Sequence, residues 1–199
     1  MHTPEDFKIS DEAEIFTFIE RNAFGQLISI SANKLVSTHM PFLLSDDRIS
    51  DDRTKLLGHL ARANPQHQDL ENQEIMITLE GPHDYVSPSW YVGPGVPTWN
   101  YQAVHIYGTC RILNNIADLQ KIVDRLTNKY EQPLTPPWVP DYNPAMLKYI
   151  VGVEISIQDV QCKYKLSQNK SEQDREQVIS GLEGLGSDSL AQAMRNLPA

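Results

Sequence analysis

The segment YVSPSWYVGPGVPTWNYQAVHIYGTCRIL, residues 85–113, decides what kind of fold this chain builds. Its first half is a run of aromatics broken by Pro88, Pro94 and Pro97, and no Asp, Glu, Lys or Arg occurs from Tyr85 to Cys110. The Ser, Thr, Asn and Gln among them, with the prolines and glycines, exclude a membrane span. Rigid aromatics with polar tips suit a flat ligand or a subunit contact, and equally a core strand beside a Pro/Gly loop. The second half, Thr98 to Leu113, reads as one long strand with a bulge expected at Gly108.

Upstream of this segment, Asp11 to Asn22 reads as a helix capped by Ser10 or Asp11, with Ile15, Phe18 and Ile19 as its apolar stripe. Strands are expected over Phe24–Ile30 and Leu35–Leu44, joined at Ala32-Asn33-Lys34, and over Leu56–Leu60 and Glu74–Leu79. Residues 46–52 read as an acidic loop, and Gly81-Pro82 as a turn after which His83 to Ser87 pairs back. Downstream, Asn115 caps a helix to Tyr130, a Pro-rich loop carries Trp138, and Tyr149 to Cys162 forms the last strand. Ser171 and Asp174 start a helix that ends near Gly184 and Gly186, before a short helix over 187–197.

Strands and helices do not alternate as βαβ units, so the expected fold is mainly β with helices, an antiparallel barrel of six or seven strands. Residues 1–165 are read as the barrel domain and 166–199 as a helical extension packed on it, together one structural unit.

A net charge of −9 over 199 residues argues against a general basic surface for nucleic acid. Two distant cysteines, Cys110 and Cys162, suggest neither a disulfide framework nor a Cys-based zinc site, and fit a reducing, cytoplasmic setting. The N-terminus carries acids and lacks the apolar stretch of a secretory signal. No metal-ligand spacing, P-loop, GxGxxG or GxSxG motif occurs, so metal, nucleotide and hydrolase chemistry find no support.

One candidate site emerges around the strand after residue 52. Extended spacing puts Arg53, Lys55, Leu57 and His59 on one face, with Arg62 in the following turn and Thr38 and His39 on a neighbouring strand. A guanidinium, neutral donors and free backbone amides are what a phosphate needs. A solvated strand edge has the same pattern.

The segments STHMPF (37–42), GHLARANPQ (58–66), YVSPSWY (85–91), VPTWNY (96–101) and KLSQN (165–169) occur in this order, with Val104-His105 and Gly108 between the last two. Together they resemble the PaiB family of FMN-binding negative transcriptional regulators over nearly the whole chain. The resemblance implies a split-barrel flavin-binding fold similar to pyridoxamine phosphate oxidase, and a homodimer with FMN at the subunit interface. By the same match, Thr38, His39, His59, Arg62 and Asn64 are expected at the phosphate and ribityl chain. Trp90, Tyr91, Trp99 and Asn100 are expected as ring-side or partner-subunit contacts, and Lys165, Gln168 and Asn169 at the interface or the flavin edge. The acidic charge and the lack of a helix-turn-helix leave direct DNA binding without support from the residues. An FMN-dependent oxidoreductase is the alternative, since the cofactor would carry the redox chemistry and no acid–base residue is obligatory. Haem binding through a strand histidine is a weaker one.

Overall fold

The computed structural model describes residues 1–45 and 54–197. The expected acidic loop and Arg53 lie outside the described residues. The strands are β1 (Lys8–Ile9), β2 (Phe24–Ser31), β3 (Lys34–Pro41), β4 (Leu43–Leu44), β5 (Lys55–Ala61), β6 (Glu74–Val86), β7 (Thr98–Leu113) and β8 (Ile150–Lys165). They form an eight-stranded sheet ordered β3-β2-β6-β7-β8-β5-β4, with β1 added to β8. Six strands have seven residues or more and two have only two, which is the antiparallel, mainly β architecture expected. The helices are α1 (Glu12–Arg21), α2 (Ile116–Glu131), α3 (Glu172–Gly184) and α4 (Asp188–Arg195).

The helix boundaries follow from caps. Asp11 accepts from the Glu14 N–H at 2.8 Å, Asn115 from Ala117 N–H at 2.8 Å, and Ser171 from Asp174 N–H at 3.1 Å. Each satisfies an amide that the first helical turn leaves without a partner. Gly186, at φ +79, follows the end of α3 in the left-handed region that a side chain would disfavour.

The chain divides into two compact units. One comprises Met1–Asn22, Leu79–His105 and Gln161–Ala199, and the other Ala23–Thr78 and Ile106–Val160. Strands β6, β7 and β8 each pass from one to the other.

In the second unit, residues 34–41 pair with β2, and two residues later Leu43 and Leu44 pair with β5. The change of partner turns on Phe42, fully buried, whose N–H donates to Ala23 O at 2.8 Å. This single stretch of chain therefore joins the two ends of the sheet order. Leu43, Leu113, Ile122 and Leu126 form a buried cluster with Leu57 against it, which seats the apolar stripe of α2. Gly108 is needed for close approach: a Cβ there would lie 2.9 Å from Ile155 Cγ2.

In the first unit, Phe18 of α1 packs on Tyr164 with ring centroids 5.6 Å apart, and the Tyr164 hydroxyl donates to Glu14 Oε1 at 2.8 Å. Burial and that carboxylate push the Tyr164 pKa far up, so the phenol stays protonated.

Two elements depart from the sequence reading: the strand expected over Leu35–Leu44 divides at Phe42 into β3 and β4, and one expected turn is replaced by strand. Gly81-Pro82 does not turn the chain; β6 continues through both residues to Val86. Proline ends a strand only where its missing N–H is needed by a neighbour, and position 82 tolerates that loss. Gly81 is buried, and a Cβ there would lie 2.8 Å from the Phe18 ring, so this glycine makes room for α1.

Candidate functional site

The expected site residues fall into two groups, one in each unit. In the second unit, burial along β5 alternates as extended spacing requires. Leu56, Gly58 and Leu60 are buried, and Lys55, Leu57 and His59 line the other face. His59 stands opposite Gly152, so both point to the side where Leu119 and Ile122 of α2 lie over Gly152. His59 Nδ1 is buried and has no hydrogen-bond partner, and burial holds its pKa below the usual histidine value. A neutral imidazole with an unspent ring nitrogen can meet an incoming polar group at no cost in broken bonds.

Thr38 and Asn64 come together through a residue that the sequence reading missed. Asn64 Nδ2 donates to Thr38 Oγ1 at 2.8 Å, and Thr38 donates to Gln66 Oε1 at 2.5 Å. Gln66, only 3% exposed, donates from Nε2 to Leu27 O at 3.1 Å and to Ser29 Oγ at 2.8 Å. Its own N–H returns to Asn64 Oδ1 at 3.0 Å, which caps the 3-10 turn Pro65–Asp69. The loop after β5 is thereby locked onto β2 and β3. Gln66 is the last residue of the GHLARANPQ block. A polar residue between Pro65 and a further turn gives no periodic signal, so only the block itself pointed towards it.

His39 is not brought to this network. It neighbours Thr38 on β3, and alternate residues face opposite sides. His39 is exposed and stacks on the exposed Phe24 ring, 6.3 Å between centroids at 25°. Arg62 is tied elsewhere. Its Nε donates to Lys148 O at 2.8 Å, one terminal nitrogen to Ile150 O at 2.9 Å, and both terminal nitrogens to Asn114 Oδ1 at 3.3 Å. These use four of its five N–H groups, so one remains for a ligand.

In the first unit the aromatic segment is anchored rather than free. Trp90 lies on α3 at Gly181, where a Cβ would come within 2.5 Å of the indole. Val92 N–H donates to Asp174 Oδ1 at 2.9 Å. Asn100, 1% exposed, donates to Ser167 Oγ at 3.0 Å and faces Met194 Sδ of α4 at 3.5 Å. Trp99 is 54% exposed and meets Tyr85 edge-on at 6.4 Å. Lys165 Nζ bonds Thr98 Oγ1 and donates to Trp99 O at 2.6 Å. Gln168 braces the turn after β8 by bonding Leu166 N–H and Tyr164 O. Of the four aromatic-block residues, the tryptophan at 99 alone presents a large open face.

The family model described as "Putative FMN-binding domain" matches residues 1–159. The chain belongs to this family. The "Protease synthase and sporulation protein PAI 2" of Bacillus subtilis is 36% identical over 189 residues, spanning 92% of this chain and 89% of that one. Family membership makes the chain an FMN-binding protein of the PaiB type, and the resemblance carried by the sequence blocks is borne out. Two solved structures share the fold at low identity. The flavocytochrome Anf3 from Azotobacter vinelandii has a TM-score of 0.62 at 14% identity, over 84% of this chain and 74% of that one. The FAD and heme binding protein from Mycobacterium smegmatis has a TM-score of 0.62 at 12% identity, over 84% and 78%. Among the described residues no helix is long and apolar enough to cross a membrane. Nor do any three His, Cys, Asp or Glu residues there stand close enough together to hold a metal ion.

Proposed function

We propose that this FMN-binding protein is a homodimeric, flavin-dependent negative regulator of transcription, acting without direct contact to DNA. The observation that carries the flavin part is His59. A buried imidazole nitrogen without a partner, on the strand that runs into Arg62, is the kind of donor a phosphate recruits. His59 and the spare N–H of Arg62 hold the FMN phosphate. Thr38 and Asn64 border the ribityl chain, held in position by Gln66, and His39 lies outside this set on the opposite strand face. FMN, when bound, supplies the redox-active isoalloxazine.

The dimer reading rests on exposed apolar surface. Tyr85, Val92, Val96 and Trp99 are 40–70% exposed in the single chain, in a segment without charge. Such surface is what a second subunit covers. Trp90, Tyr91 and Asn100 then support the segment from behind, and Trp99 makes the partner contact.

Indirect action follows from charge. The chain carries −9, α3 opens with Glu172 and Asp174, and Arg195 of α4 is bonded to Glu183. Among the described residues no basic helix is left to enter a groove.

Titration of apoprotein with FMN and with riboflavin tests the phosphate assignment, with light scattering on the same samples for mass. FMN should bind at least tenfold more tightly than riboflavin, and His59→Ala should erase most of that preference. Equal affinity for the two flavins, or a monomer at saturating FMN, contradicts the proposal. Fluorescence anisotropy with promoter DNA at low salt should stay flat.

A further inference from the structure

A pocket lies wholly within the first unit. It encloses about 210 Å³ and is lined by Phe7, Tyr91, Val96, Lys165, Ser167 and Lys170, among others. We propose that it binds a small organic acid, with the carboxylate held by Tyr91, Lys165, Ser167 and Lys170 and the apolar body against Phe7 and Val96.

Four observations point there. The Tyr91 hydroxyl is buried with the Ser167 side chain as its hydrogen-bonding neighbour, a pair of hydroxyls that a ligand acceptor can join. Two ammonium groups line the same pocket in a chain whose net charge is −9, and Lys170 also sits 5.0 Å above the Tyr91 ring. Ser167 stands at φ +65, a backbone region unfavourable to a side-chain-bearing residue, and its hydroxyl is fixed there by buried Asn100. Strain of this kind persists where the surroundings over-determine a geometry, and here it turns the serine hydroxyl to the pocket wall. Finally, the volume is below that of a drug-sized site and suits a ligand of roughly ten heavy atoms.

The charges around the pocket favour an anion. Burial and the neighbouring Lys163 and Lys170 depress the Lys165 pKa, so an incoming carboxylate relieves repulsion among three cations. Lys163 itself is occupied, donating to His2 O at 3.0 Å and lying over the Tyr101 ring. Among the described residues, the acid that acts on Tyr91 is Asp174, which already accepts the Val92 N–H. None of these residues belongs to the phosphate set around His59, so the proposal stands whether or not that assignment holds.

The test is calorimetry on FMN-loaded protein, in a buffer free of oxyanions, with benzoate and with inorganic phosphate as probes. Benzoate should bind once per chain and more tightly than phosphate, without releasing flavin. Tyr91→Phe and Lys170→Gln should each weaken benzoate about tenfold. Tyr91→Phe removes one hydroxyl and its contact with Ser167, so without ligand it should melt within a few degrees of the parent protein, and a folding defect does not confound the result. No benzoate binding up to about 10 mM, tighter binding of phosphate than of benzoate, unchanged affinity in both variants, or displacement of flavin by benzoate each overturns the proposal. A preparation that takes up no flavin but binds benzoate leaves this proposal standing and removes the phosphate assignment instead.

Discussion

Gln66 is the sharpest point of failure in the loop that carries the flavin-site residues. Gln66→Ala removes three hydrogen bonds at once: the one accepted from Thr38 and those donated to Leu27 O and Ser29 Oγ. Each is worth about 1 kcal/mol net, and a buried group left without a partner costs a further 1–3 kcal/mol. Thr38 and Ser29 can rotate their hydroxyls, whereas the Leu27 carbonyl cannot turn, so one full penalty is expected. The total is about 4 kcal/mol, equivalent to a fall in melting temperature of roughly 10 °C for a chain of this size. Gln66→Glu is the companion variant. It keeps the acceptor for Thr38 but turns a carboxylate oxygen on the Leu27 carbonyl, and it should be at least as harmful. Urea denaturation followed by tryptophan fluorescence measures both, and flavin fluorescence quenching reports FMN affinity on the folded fraction. Affinity should fall along with stability, because Thr38 and Asn64 lose their brace. A loss below about 1 kcal/mol in Gln66→Ala would refute the claim that this network locks the loop.

Arg62→Ala should cost stability as well as FMN affinity, about 1–3 kcal/mol by urea denaturation, because the guanidinium holds the Lys148 and Ile150 carbonyls at a partly exposed site. Full stability with weakened FMN binding would return Arg62 to a purely ligand-binding role. Gly181→Ala should drive the Trp90 indole off α3 and cost about 1–3 kcal/mol from overpacking, less about 1 kcal/mol regained in helix propensity; tryptophan emission should shift to the red, and an unchanged spectrum contradicts the contact. Burial depresses His59, and burial with the N-terminal charge depresses His105. Their contribution to stability is therefore complete above about pH 6.5 and is lost as pH falls through the lowered folded values. Urea midpoints measured from about pH 8 down to 5 should fall in the parent and less so in His59→Gln, and parallel curves would contradict the burial.

The strands and helices were legible because the strands are long and the caps are local. Thr98–Leu113 was readable to the residue, and Asp11, Asn115 and Ser171 each announced a helix within three positions. Pro82 misled because sequence shows the missing donor and not whether a neighbour needs it. The site was legible as blocks and only partly as roles. Thr38 and His39 are adjacent in sequence, and the strand pleat sends them to opposite faces. Arg62 reads as a phosphate ligand until the acceptors arrive from residues 114 and 148–150, more than fifty positions away. Of the four residues read as ring-side or partner contacts, Trp99 is half exposed and Asn100 is buried, a difference the block does not show. Gln66 carries three side-chain bonds yet was not singled out, because glutamine has no pattern of its own.

The visible absorption spectrum of the protein after reconstitution with FMN and removal of free flavin tests the central claim most directly. Bound flavin bands at one FMN per chain, with the fluorescence of the free cofactor altered, are predicted. A colourless protein that returns all added FMN to the filtrate would contradict the account.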